Sequence, residues 1–146
     1  MNWNDCSAEE RDYGGCPFVT DIPRRAARNT NFRTAIWTGS YLQMTLMHLP
    51  PHGEIGEEMH GDTDQLLRVE QGCGMVKMGA RRGQMDTQYR VCRGDAIFVP
   101  AGTWHNVINI GRMPLKISSV YAPPNHRKGT VHRTKEEAER AEYGGV

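Results

Sequence analysis

His105 stands where a chain can hold a donor nitrogen still. It opens the run His105-Asn-Val-Ile-Asn109, just after Pro100-Ala-Gly102-Thr-Trp, and the short apolar run Ala96 to Val99 precedes that turn behind Gly94-Asp95. Pro100 cannot donate to a sheet ladder and Gly102 admits a tight turn, so the stretch predicts a strand, a turn and a second strand. Alternation along the second strand puts His105, Val107 and Asn109 on one face. An imidazole aimed inward from the start of a rigid strand suits a metal ligand. The plainer alternative is a turn histidine at the surface.

The elements around this segment are mostly short strands. Ala35-Ile-Trp-Thr, then Gly39-Ser40, then Tyr41 to Leu49 predicts a hairpin whose second strand alternates, with Leu42, Met44 and Leu46 on one side and Gln43, Thr45 and Met47 on the other. Pro50-Pro51 breaks it. Further strands are expected at Glu57 to His60, Gln65 to Glu70, Met75 to Met78, Gln88 to Val91, Ala96 to Val99, His105 to Ile110 and Leu115 to Tyr121, with glycines between them. Many short strands with almost no helix argue for an all-β sandwich or barrel. Two capping boxes, Ser7-Ala-Glu-Glu10 and Thr134-Lys-Glu-Glu137, predict a short helix ended by Gly14-Gly15 and a helix over Thr134 to Glu142. Residues 17–34, with Pro23 and four arginines, are expected to form an irregular arm. The division is therefore an N-terminal arm (1–34), a barrel (35–124) and a C-terminal tail and helix (125–146).

At 146 residues the chain fits one domain. Its 18 basic and 17 acidic residues nearly cancel. Without a basic stripe carrying interleaved aromatics, nucleic acid is not an expected partner. No apolar stretch approaches the roughly 18 to 20 residues of a membrane span, and the first residues lack a secretory signal's pattern. Cys6, Cys16, Cys73 and Cys92 show neither CxxC nor zinc-ribbon spacing, so free thiols in a reducing, cytoplasmic compartment are expected.

Residues 94–109 match G-x5-P-x-G-x2-H-x3-N at every fixed position. The two Gly and the Pro alone would coincide by chance about once per 4,000 start positions. The match resembles the second signature motif of the cupin superfamily. The resemblance covers about Ile36 to Tyr121 and implies a small jelly-roll barrel carrying the arm and the C-terminal helix as additions. It also implies a homodimer, and an arm before residue 35 would suit strand exchange. Asn29-Thr-Asn-Phe-Arg-Thr-Ala-Ile-Trp-Thr-Gly39 and Tyr121-Ala-Pro-Pro-Asn-His126 are similar to small bacterial single-domain cupins described as mannose-6-phosphate isomerase-like.

The first cupin motif, G-x5-H-x-H-x3,4-E-x6-G, is degraded. Counting back from Gly72 puts Gln65 at the Glu position, His60 at the second His and Glu58 at the first, and Gly53 stands one residue too close. The resemblance thus implies Glu58, His60, Gln65 and His105 as ligands of one divalent transition metal: Zn, Mn, Fe or Ni. Glu58 and His60, two apart on one strand, project to one face. With His105 they supply two imidazoles and a carboxylate, a set that suits first-row metals and leaves positions open. Gln65 offers a weak neutral oxygen, and a similar mixture of one Gln, one Glu and two His occurs in phosphomannose isomerases. Two alternatives stay open: Asp64 replaces Gln65, or the substitutions leave a polar pocket without metal.

Three functions follow from this reading. The first is a metal-dependent enzyme moving a proton on a small sugar-like or hydroxy-carbonyl compound, with His48, His52, Tyr121 and His132 as candidate acids or bases and His126 also near the barrel mouth. Arg24, Arg25, Arg28 and Arg33 are a candidate phosphate-holding cluster, or a solvated arm. The second function is an Fe(II)-dependent dioxygenase on the same ligands. The third is a small-ligand or metal-binding module without turnover. Arg68 and Glu70 are expected to pair on the outer side of their strand, and Asn109 to tie a turn.

Overall fold

A computed structural model describes residues 12–143. Its elements are α1 (Ile22–Arg28), β1 (Arg33–Thr38), β2 (Gln43–Leu49), β3 (Asp64–Gln71), β4 (Cys73–Gly79), β5 (Thr87–Cys92), β6 (Ala96–Val99), β7 (Trp104–Asn109), β8 (Leu115–Ala122), β9 (Val131–His132) and α2 (Lys135–Tyr143). They form a six-stranded sheet in the order β6-β3-β8-β2-β1-β9 and a three-stranded sheet in the order β5-β4-β7. Every recorded pairing is antiparallel.

The core lies between the two sheets. Leu67, Val69, Leu115 and Ile117 from the larger sheet meet Val76 and Val107 from the smaller one, with Met47 and Leu49 completing the cluster. Fully burying each of these side chains contributes roughly 1.5–3 kcal/mol. The same inward faces change character toward one end. Along β2 the apolar Met47 and Leu49 give way to Gln43 and Thr45, and along β8 Leu115 and Ile117 give way to Ser119 and Tyr121, all buried. One end of the barrel is a packed core and the other a buried polar chamber.

Three expectations need correction. Residues 17–34 are not wholly irregular, because Ile22–Arg28 is helical. Pro23 sits in the helix's first turn, where its missing N–H is no loss, and the Asp21 side chain caps Arg24 N. This helix packs on the outer face of β2, β8 and β3, which explains why β8 is buried on both faces from Leu115 to Ser119. Lys116 on that outer face donates from Nζ to the Asn29 carbonyl at the end of α1.

Cys16, Cys73 and Cys92 are not free thiols. Cys73 and Cys92 lie directly opposite each other in the β4–β5 register and form a disulfide, with Cα atoms 4.1 Å apart, and Cys16 is disulfide-bonded as well. The two halves of the first bond are separated by 19 positions and meet only because that hairpin forms. Spacing alone could not reveal it.

Third, Glu57 to His60 is not a regular strand. It touches the smaller sheet through one bridge, Glu58 to His105. The helix expected at Ser7 to Glu10 lies outside the described residues. Among the described residues no helix is long and apolar enough to cross a membrane.

Candidate metal centre

The turn between β6 and β7 builds one wall of the polar chamber. Gly94 (φ 92°) and Gly102 (φ 83°) adopt the left-handed conformation that other residues enter at a cost. Thr103 N donates to the Pro100 carbonyl and closes the turn. Gly102 N donates to the His60 carbonyl at 2.8 Å and fastens the turn to the Glu58–His60 segment. Asn109 is buried and structural, with Nδ2 donating to the Leu49 and Met113 carbonyls and Oδ1 accepting from Gly111 N.

Glu58, His60 and His105 bring one donor atom each within 4.8 Å of one another. Glu58 Oε2 lies 3.3 Å from His60 Nε2 and 4.0 Å from His105 Nε2, and Glu58 Oε1 lies 3.5 Å from a terminal nitrogen of Arg33. His105 Nδ1 is 3.0 Å from the Thr103 carbonyl. A carbonyl can only accept, so Nδ1 carries the proton and Nε2 presents its lone pair to the cluster. Burial holds the His105 pKa below its ordinary value, although the Thr103 bond and Glu58 pull the other way. For Glu58, burial alone would raise the pKa; contact with His60 and the charge of Arg33 outweigh it and keep the carboxyl low.

Whether these residues suit a metal can be tested on their unmet valences. The Nε2 atoms of His60 and His105 and Oε1 of Gln65 are all buried without a hydrogen-bond partner. Leaving such groups unpaired costs about 1–3 kcal/mol each. Two unpartnered imidazole nitrogens gathered around one locus with a carboxylate fit a divalent cation.

Gln65 lies on the inward face of β3 opposite Tyr121, and its Nε2 donates to Ser119 Oγ at 2.8 Å, which leaves Oε1 unpaired. Asp64 is exposed and its Oδ1 accepts from Ala101 N in the motif turn, so the alternative register with Asp64 as ligand is excluded. Tyr121 is fully buried, its ring edge-on to His60 at 5.7 Å and to His126 at 5.1 Å. Its hydroxyl is 3.3 Å from His126 Nε2. Burial raises the Tyr121 pKa and, more than the neighbouring Arg33 charge, lowers that of His126 to about 3. His132 reaches the centre through Arg33, accepting from a terminal nitrogen at 3.4 Å.

The structure does not bring His48 and His52 to this cluster. His48 is on the outward face of β2 with Met44 and Leu46, where Lys116 Nζ lies 2.7 Å from its Nδ1. His52 occupies an exposed turn at φ 67°. Two neighbours were not legible in advance. Arg33, expected in the arginine cluster of the arm, is instead the first residue of β1 and points into the chamber, 1% exposed and beside Glu58, on the face it shares with Ala35. Glu142 on α2 shares a cavity of about 570 Å³ with Glu58, and burial followed by the Glu58 charge raises its pKa. In the sequence it was only the last residue of the expected helix over Thr134 to Glu142.

The antiparallel double-sheet barrel is that of a cupin, and this chain belongs to the cupin domain family, which matches residues 45–121. It is 54% identical over 132 residues to the uncharacterized protein YrkC of Bacillus subtilis, covering 90% of this chain and 71% of that one. It is 33% identical over 115 residues to the uncharacterized protein L612 of Acanthamoeba polyphaga mimivirus, covering 78% and 70%. Among solved structures, BH2720 from Bacillus halodurans superposes with a TM-score of 0.89 at 50% identity, covering 90% of this chain and 99% of that one. TT1209 from Thermus thermophilus, at 24% identity and a TM-score of 0.61, covers 72% and 96% and shares the fold.

Proposed function

We propose that this cupin is a metal-dependent enzyme that moves a proton on a small sugar-like or hydroxy-carbonyl compound. The observation that supports it is the cluster of Glu58, His60 and His105, whose two Nε2 atoms are buried without partners. When bound there, a divalent transition ion supplies Lewis acidity toward a substrate carbonyl. Glu58, His60 and His105 hold it and Gln65 tunes it through Oε1. Tyr121, kept protonated by burial, is the acid that donates from its hydroxyl to a substrate oxygen, and His126, kept neutral by burial, lies 3.3 Å from that hydroxyl through Nε2 and positions it. His132 acts by orienting Arg33. The mannose-6-phosphate isomerase-like label rests on fold and ligand mixture and carries little weight for substrate.

The test is solvent deuterium exchange. Protein purified without an affinity tag and loaded in turn with Mn, Zn, Ni and Fe should catalyse deuterium uptake next to the carbonyl of at least one hydroxy-ketone or aldose. Exchange in none of them overturns the reading. Two imidazoles and one carboxylate also form the set used by Fe(II) oxygenases. Iron in the purified protein, with oxygen uptake on catechols or diketones and no exchange, would select that second reading. Ligand-induced stabilisation without product would select a binding module.

Homodimer formation is retained as part of the proposal; β6, with Phe98 72% exposed, is an edge strand that needs covering. A cytoplasmic location loses the ground that free thiols gave it.

A further inference from the structure

The arginines of the first helix do not face the metal centre. Arg24, Arg25 and Arg28 line a separate cleft of about 980 Å³ that opens on the outer side of the larger sheet. Its floor includes Ile36 and Leu46, which pack with Ala26 of α1 on that outer face. Thr34 and Val131 line it as well, whereas their chain neighbours Arg33 and His132 meet at the metal centre. The sheet therefore stands between the two sites.

We propose that this cleft binds a small molecule bearing phosphate or a similarly charged oxyanion. Four guanidiniums, those of Arg24, Arg25, Arg28 and Arg133, line it against one carboxylate, Asp21, whose Oδ1 is engaged by Arg24 N. Arg24 and Arg28 are four apart on one helix, where like charges repel. Among the described residues neither they nor Arg133 have an ion-pair partner, and an anion in the cleft would relieve the excess.

The cleft is also organised in advance. Arg25 stacks over the rings of Tyr13 and Phe18, at 5.4 and 5.2 Å, and its Nε donates to Thr20 Oγ1. Its position is thereby fixed while its terminal nitrogens keep no recorded partner among the described residues. Along the floor, Thr34 Oγ1 donates to Asn29 Oδ1 and accepts from Asn31 Nδ2. Guanidiniums held in place over a rigid polar floor recognise the planar edges of phosphate and carboxylate groups. The volume lies at the upper end of the roughly 300–1,000 Å³ of small-molecule sites.

Isothermal titration of the full chain, dialysed free of divalent ions, with inorganic pyrophosphate and then orthophosphate at low ionic strength tests the proposal. Saturable binding is expected, weakened at least about tenfold in the double variant Arg24→Gln/Arg28→Gln and unchanged in His105→Ala. Arg133→Gln alters the wall outside the helix and should weaken binding without touching α1. Three results would overturn the proposal: no saturable binding of either anion, equal affinity in all arginine variants, or binding lost in His105→Ala and kept in the arginine variants.

Discussion

Glu58 and His105 face each other as a reciprocally bonded pair: each backbone N–H donates to the other's carbonyl at 2.9 Å. Residues opposed in this way across an antiparallel ladder place their side chains on the same face. The bridge therefore aims the carboxylate and the imidazole together. His60, two positions beyond Glu58 and tied by its carbonyl to Gly102 N, brings the third donor to that face. A segment too irregular to be a strand holds two of the three candidate donors in place because three backbone hydrogen bonds fix it.

Metal retention should follow this geometry. His105→Ala removes a donor held by the Thr103 bond and is expected to leave no metal after dialysis, measured by elemental analysis. Gln65→Ala removes only an oxygen beside the triad and should weaken binding by about tenfold to a hundredfold at most. Equal occupancy in His105→Ala and the parent would remove the centre from the mechanism.

The histidines set a pH dependence whose sign can be worked out. Unfolded, His126 takes a proton near its ordinary 6.5; folded, it resists until about 3. The unfolded chain binds more protons in that window, so the stability contributed is complete above about 6.5 and is lost as pH falls toward 3. His48, His105 and His132 are shifted the same way. For His126 the full effect is on the order of a few kcal/mol. The metal-free protein should melt at progressively lower temperature on acidification, and His126→Asn should flatten that slope. Parallel slopes for the two proteins would contradict the assignment.

How much of this could be read from residue order alone depends on range. The turn and strands of Gly94 to Asn109 were legible because Gly, Pro and apolar alternation act within a few residues of themselves. Arg68 and Glu70 pair outward at 3.1 Å for the same reason. Pro23 misled because a proline that breaks a helix interior is favoured in its first turn. Arg33, Glu142 and the Cys73–Cys92 bond depend on partners far along the chain, and alternation puts His48 with Met44 and Leu46 without telling which face α1 covers. The short β9, where His132 pairs with Arg33, carries no periodic signal at all.

The disulfide makes a direct chemical prediction. Alkylation of the denatured, unreduced protein should leave Cys73 and Cys92 unlabelled. Replacing both by Ser frees a loop of sequence separation 19 in the unfolded chain and should lower stability by about 3 kcal/mol in denaturant melts. Full labelling without reductant would return these residues to the thiol form.

The motif glycines should respond according to backbone conformation and not to space. At Gly102 an added Cβ would meet nothing within 4 Å, yet φ is 83°. Gly102→Ala should therefore cost about 1–2 kcal/mol, and Gly102→Asn less, since asparagine enters the left-handed region more readily. Gly74 presents the opposite case. Its φ is ordinary, but a Cβ there would come within 2.8 Å of Leu115 Cδ2 and 2.9 Å of the Ile108 carbonyl. Gly74→Ala and Gly74→Asn should both destabilise, the larger side chain more, because the obstacle is the packed core. Chemical denaturation of the four variants separates the two causes: recovery with Asn at position 102 and further loss with Asn at position 74. If Asn proves worse than Ala at position 102, the turn that carries His105 is limited by space, and its glycine is explained by close packing instead of by φ.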